Sequence, residues 1–128
     1  MSQPIQKTKI QTVIVSRPGI LQESLRAGLA SASQIEIIKS VGDGLSALNA
    51  IQEHQPKLVV IDSNLLEEEI LALLRHVKQV WPAVCCLVMT TSGRQEKWAV
   101  ASGADAVWPR HRSLRDLYEL LTTLCPGV

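Results

Sequence analysis

Five short apolar runs alternate with stretches whose apolar residues recur every three or four positions, and few folds can absorb that alternation. The runs, at 12–15, 35–40, 58–61, 84–90 and 106–108, are rich in Val, Ile and Leu without clean polar–apolar alternation. Parallel strands buried on both faces of a sheet have this pattern. Between them, Leu21, Leu25 and Leu29 repeat at i+4, and Leu45, Leu48 and Ile51 at i+3. Leu66, Ile70, Leu73 or Leu74, and Val77 keep a helical period, as do Leu114, Leu117, Leu121 and Leu124. Pro18-Gly19, Gly42-Asp43-Gly44, Gln55-Pro56 and Ser92-Gly93 punctuate the joins. The expectation is an α/β chain of (βα)5 form with one doubly wound parallel sheet. Right-handed crossovers and short connections predict the strand order 2-1-3-4-5. The fourth helix, over 94–102, has only Trp98, Ala99, Val100 and Ala101 as apolar residues and is expected to be the most mobile.

A length of 128 residues suits a single domain, read as a flexible tail over 1–9, a domain over 10–125 and a short end over 126–128. At 46% hydrophobic and 20% charged, the composition is globular rather than disordered. A net charge of +1 argues against a dedicated nucleic-acid surface. No membrane-span run or signal-peptide core is present, so no membrane contact and a cytoplasmic location are expected. The three cysteines, two of them adjacent, do not form a disulfide framework. Cys85 and Cys86 read as small buried hydrophobes on opposite faces of one strand, and Cys125 as partly exposed. Without a Cys/His cluster at ligand spacing, zinc is not expected. His54 and His76 read as surface residues.

Asp62 closes the third run. In open parallel α/β sheets, ligands and chemistry gather at that C-terminal strand edge. The first run ends nearby in Ser16-Arg17. A carboxylate that holds Mg²⁺ usually shares it with acidic neighbours, but here a cation stands beside it. Considered alone, Asp62-Ser63-Asn64 reads as a cap for the helix starting near Leu66. Glu67-Glu68-Glu69 suits the macrodipole at the start of that helix better than a metal, because consecutive helical residues do not share a face. β propensity accounts for one of Thr90 and Thr91. The Arg110-His111-Arg112 cluster reads as a solvated loop and is too short to indicate DNA binding.

Taken together, these residues resemble the receiver domains of two-component response regulators, a flavodoxin-like family, over roughly residues 8–124. The opening TVIVSRPGILQESLRAGL is similar to a receiver's first strand and helix, and SVGDGLSALNAIQEHQPKLVVID is the closest match. The resemblance implies Asp62 as phosphoacceptor position, with Asn64 offering a backbone carbonyl. It implies Thr90, from VMTTSG, as the hydroxyl position, and Arg110, from GADAVWPRHRSL, where the family has lysine. Departures accompany the match. Ser16-Arg17 replaces the acidic pair, Leu66 a proline, and Val107 stands at an aromatic switch position. The fourth-helix segment is shorter than in the family. Receivers that precede helix-turn-helix output domains are nearest in style, although the chain stops after the fifth helix.

A receiver takes up phosphate because Mg²⁺ and a lysine neutralise charge on the phosphoryl oxygens. With Asp62 the only carboxylate left, Mg²⁺ binding is not expected, nor any other cofactor. Arg17 or Arg110 is expected to turn towards Asp62. The leading expectation is a non-enzymatic receiver-like signalling module that acts by protein contacts, with weak or no phosphorylation. Its partner is a histidine kinase or a downstream effector, and a homodimer would use the face from fourth helix to fifth helix. Trp98, Trp108 and Tyr118 are the aromatic candidates for that face, with Trp108 reading equally well as a core residue at the sheet edge. The alternative is a working phosphoacceptor, phosphorylated on Asp62 by a histidine kinase. A small-molecule or enzymatic flavodoxin-like domain is the remote third reading: Ser16-Arg17-Pro18-Gly19 is too short for a phosphate loop, and its proline lacks an N–H donor.

Overall fold

The computed structural model describes residues 9–124. Five strands, β1 (Ile10–Val15), β2 (Ile35–Val41), β3 (Leu58–Ile61), β4 (Cys85–Thr90) and β5 (Ala106–Pro109), form one sheet in the order β2-β1-β3-β4-β5. All four pairings are parallel, as the strand composition requires. Helices α1 (Ile20–Ala30), α2 (Gly44–His54), α3 (Glu67–Val80), α4 (Gly93–Ala101) and α5 (Leu117–Leu124) connect them, with a short 3-10 turn η1 (Leu114–Asp116) before α5.

The sheet separates two cores. On one face Val13, Val59, Ile61, Cys86 and Val88 pack with residues of α2, α3 and α4. On the other, Ile14, Leu58, Val60, Cys85 and Leu87 pack with Leu25 and Leu29 of α1 and Leu117 and Leu121 of α5. Cys85 and Cys86 thus lie on opposite faces, both buried. Cys125 and residues 126–128 lie outside the described residues, as does most of the 1–9 segment.

The helical patterns need three corrections, one of them Leu21 of α1, which is 48% exposed while Leu25 and Leu29 are buried. In α2 the buried stripe is Ala47, Ala50 and Ile51, while Leu45 is 71% exposed. The i+3 leucine pattern picks a stripe displaced from the one that faces the sheet, where alanines allow close approach. Leu66 is 65% exposed and precedes α3 rather than packing with it. In α4 only Ala99 is buried, as the sparse pattern suggests.

Side chains fix the end of α3 and the start of α2. Lys78 Nζ, near the end of α3, donates to the carbonyls of Pro82 and Val84 and reaches Asp105 Oδ2 at 2.8 Å. At the start of α2, Asp43 accepts from the backbone N–H of Ser46 at 2.7 Å and from its hydroxyl at 2.9 Å. The Ser46 backbone hydrogen bond, then its hydroxyl, hold the Asp43 carboxyl below the usual carboxylate range. A depressed folded-state value means stability that is present above the unfolded-state value and is lost as pH falls through the folded one. Asp43→Ala is therefore expected to lower the melting temperature at neutral pH, with the gap to the parent closing below the ordinary carboxylate range. Thermal melts across pH check this; a pH-independent gap would remove the charged cap as its cause.

Candidate site at the C-terminal edge of the sheet

Three strand ends meet around Asp62. Its backbone N–H donates to Val15 O at 2.8 Å, which carries the β1–β3 ladder one step past β3. Ser16 N–H donates to Val41 O at 2.9 Å in the same way on the β2 side. Arg110 N–H donates to Thr90 O at 2.7 Å beyond β5. Asp62, Ser16 and Thr90 are all fully buried.

The side chains converge on one oxygen. Ser16 Oγ donates to Asp62 Oδ2 at 2.9 Å, and the Arg110 guanidinium makes an ion pair with the same oxygen. Asn64 Nδ2 donates to Ser16 Oγ at 3.1 Å, while Asn64 Oδ1 accepts from the backbone N–H of Arg17 at 3.2 Å. Every donor in this chain points towards the carboxylate, which fixes the Ser16 hydroxyl and the Asn64 amide. Asp62 Oδ1 and Thr90 Oγ1 have no hydrogen-bond partner among the described residues. A buried carboxylate is costly unless paired, so Arg110 is the group that makes this arrangement tenable.

Of Arg17 and Arg110, one of which was expected to turn towards Asp62, it is Arg110 that does so. Arg17 Nε donates to Asn64 O at 3.2 Å, and its terminal nitrogen lies 3.6 Å from Glu69 Oε1. Glu69 Oε2 also accepts from Gly44 N–H at 2.8 Å. Asp62 does not cap α3: the N-cap position is Leu66, without a side-chain cap bond. Nor are the α3 acids merely solvated, since Glu67 pairs with Arg94 of α4 at 2.7 Å and Glu69 ties α3 to Arg17 and α2.

Mg²⁺ needs several oxygen ligands in near-octahedral geometry. Here Asp62 Oδ2 is taken by a guanidinium and a hydroxyl, and Asn64 O by the other arginine. Among the described residues, no group of three or more His, Cys, Asp or Glu is placed to hold a metal. Asp62 Oδ2 and the Asn64 carbonyl, both oxygens that the receiver resemblance assigns to the metal side of the site, are thus engaged by other groups, while Asp62 Oδ1 is not.

The aromatic candidates divide. Trp108 is 1% exposed, which removes it from any interaction surface. It fills the α1/α5 core, donates Nε1–H to Arg112 O at 3.3 Å, and carries the Arg112 guanidinium 4.3 Å above its ring. Trp98 is half-buried against the other core. The Tyr118 side chain lies outside the described residues. Gln22 is a site residue that the sequence does not mark: its Nε2 donates to Ser16 O at 2.5 Å and lies 3.4 Å from Val41 O. The Asn64 side chain is another, since only its backbone carbonyl was expected to matter.

No protein-family model matches the chain. An uncharacterized transcriptional regulatory protein, YhcZ of Bacillus subtilis, is 26% identical over 131 residues, covering 93% of this chain and 61% of its own length. Protein-glutamate methylesterase/protein-glutamine glutaminase 5 of Anaeromyxobacter dehalogenans is 28% identical, covering 93% of this chain and 34% of its own length. The chain thus spans 61% or less of these curated relatives. Among solved structures, the signal receiver domain of the putative response regulator NarL from Mycobacterium tuberculosis superposes with a TM-score of 0.81 at 14% identity, covering 95% of this chain and all of that one. A LuxR-family two-component response regulator from Aurantimonas sp. gives 0.82 at 19% identity, with coverage of 94% and 87%. The fold is that of these receiver domains.

Proposed function

We propose that this chain is a receiver-type module of two-component signalling that works through protein contacts, its Asp62 held in an ion pair instead of serving as a phosphoacceptor. The Asp62–Arg110 pair carries this reading. The attacking oxygen of a phosphoacceptor must be free and flanked by cations that neutralise the incoming phosphoryl group. Here Oδ2 already accepts from the Ser16 hydroxyl and is ion-paired with the Arg110 guanidinium, which supports a site without Mg²⁺. Relatives named for transcriptional regulation and for methylesterase activity align with the same stretch, which supports a shared signalling role in preference to either activity. The partner is a histidine kinase or a downstream effector, and α4, with half-buried Trp98 and Val100 exposed at 56%, offers a face for it or for a second copy.

A second reading, Asp62 as a working phosphoacceptor, is favoured by its position at the end of β3 and by the unpartnered Oδ1. Intact-mass measurement after incubation with a small phosphodonor separates the two. The expected result is no added phosphoryl group, with or without Mg²⁺. A Mg²⁺-dependent gain of one phosphoryl group, abolished in Asp62→Asn, would overturn the first reading in favour of the second.

A further inference from the structure

Arg110 belongs to a turn that is tied at both ends. Its own N–H is bound to Thr90 O, and Arg112 N–H donates to Pro109 O at 3.0 Å. The Trp108 indole holds Arg112 O from below, and the Arg112 guanidinium covers that ring. After the turn, Ser113 caps η1 by accepting from Arg115 N–H at 3.2 Å, and Leu114 begins it. Leu114 leans into a notch on α1 that exists because residue 28 is glycine. A Cβ at Gly28 would stand 2.4 Å from Leu114 Cδ1 and 3.8 Å from its Cγ. Gly28 lies inside α1, where glycine disfavours helix and no unusual φ requires it. Close packing is the reason left for it.

We infer that Gly28 is a positioning residue for Arg110: by admitting Leu114 it sets the turn that aims the guanidinium at Asp62. The path is continuous, from the outer flank of α1 through Leu114 and Ser113 to Arg112, the Trp108 indole and the Arg110 turn. A contact that lifts Leu114 from the notch is then felt at a buried carboxylate on the other side of the sheet edge. This inference rests on the ion pair alone, whether or not Asp62 can be phosphorylated.

The test uses nitrogen-15 NMR of the full chain, reading the Trp108 indole N–H and the Arg110 Nε–H. Alanine at 28 can be absorbed in part by rotation of Leu114, whereas a β-branched side chain fills the notch, so the effects should be graded. Gly28→Ala is expected to shift both signals, and Gly28→Val to shift them further. Adding Leu114→Ala to Gly28→Val exchanges the large and small partners, so that the contact is rebuilt with valine on α1 and the indole should return towards its parental position. Ala27→Ser, on the exposed neighbour, should leave both signals in place. Should Gly28→Val fail to fold, Leu114→Ala alone supplies the reading, since an emptied notch must also release the turn. The inference is overturned if folded variants at Gly28 or Leu114 change only α1 and η1 resonances and leave the indole and Arg110 signals where they were.

Discussion

Arg110→Ala should unfold at a markedly lower temperature than the parent, by roughly 10 °C for a domain of this size. Removing one partner of a buried ion pair costs about 3–5 kcal/mol, because the other charge stays buried and alone. The lower end, about 3 kcal/mol, applies here because the Arg110 side chain is 25% exposed and keeps some water around it, whereas Asp62 is wholly buried. The cost comes mainly from the stranded carboxylate, not from the lost attraction. Asp62→Ala in the Arg110→Ala background should therefore recover much of the loss, and a double-mutant cycle by denaturant melts measures that coupling. A loss below about 1 kcal/mol in Arg110→Ala would place the pair with ordinary surface salt bridges and remove it as the organiser of the site.

The other large effect is a gain. Arg17→Asp combined with Arg110→Lys should give saturable Mg²⁺ binding at millimolar concentration where none is expected of the parent, followed by titration calorimetry or tryptophan fluorescence. The first change removes a cation from the Asn64 carbonyl and supplies a carboxylate; the second replaces the planar fork on Asp62 Oδ2 with a retractable ammonium. At 4 Å each unit charge contributes between about 1 kcal/mol in water and about 4 kcal/mol at the intermediate dielectric of a protein surface. A two-unit change next to a divalent ion should therefore exceed tenfold in affinity, for which about 1.4 kcal/mol suffices. Arg17→Asp alone should remain weak, because Arg110 still occupies the carboxylate. Equal binding by the single and double variants would show that Arg110 is no obstacle, and equal binding by the parent would remove the whole charge argument.

The fold was legible because it rests on many weak signals that agree: five buried runs, helical spacing between them and turn residues at the joins. Strand ends could be placed closely enough to bring Asp62, Ser16, Thr90 and Arg110 to one edge. What sequence could not supply was reach. Arg17 and Arg110 flank Asp62 equally well on paper, and only the path of the β1–α1 loop sends Arg17 to Asn64 and Glu69. At Trp108 the rarity of aromatics left an interface and a core ring at the sheet edge equally open, and the structure takes the core. The leucines of α2 misled, since a helix lying close on a sheet turns its alanines inward and leaves Leu45 outside.

The hydrogen bonds that converge on Asp62 span long stretches of chain, 46 residues from Ser16 and 48 from Ser16 to Asn64, with Arg110 arriving from the last strand. Contacts this distant carry a high closure cost and tend to form late. β5 pairs with β4 alone, so the Arg110 lock is expected to close after the sheet's centre has assembled. Interactions absent from the folding transition state act on the rate of escape from the native state. The Asp62–Arg110 pair would then govern how long a folded molecule survives before it opens, leaving the speed of refolding almost unchanged when Arg110 is removed. The ion pair would in that way act as a latch on the lifetime of the folded chain.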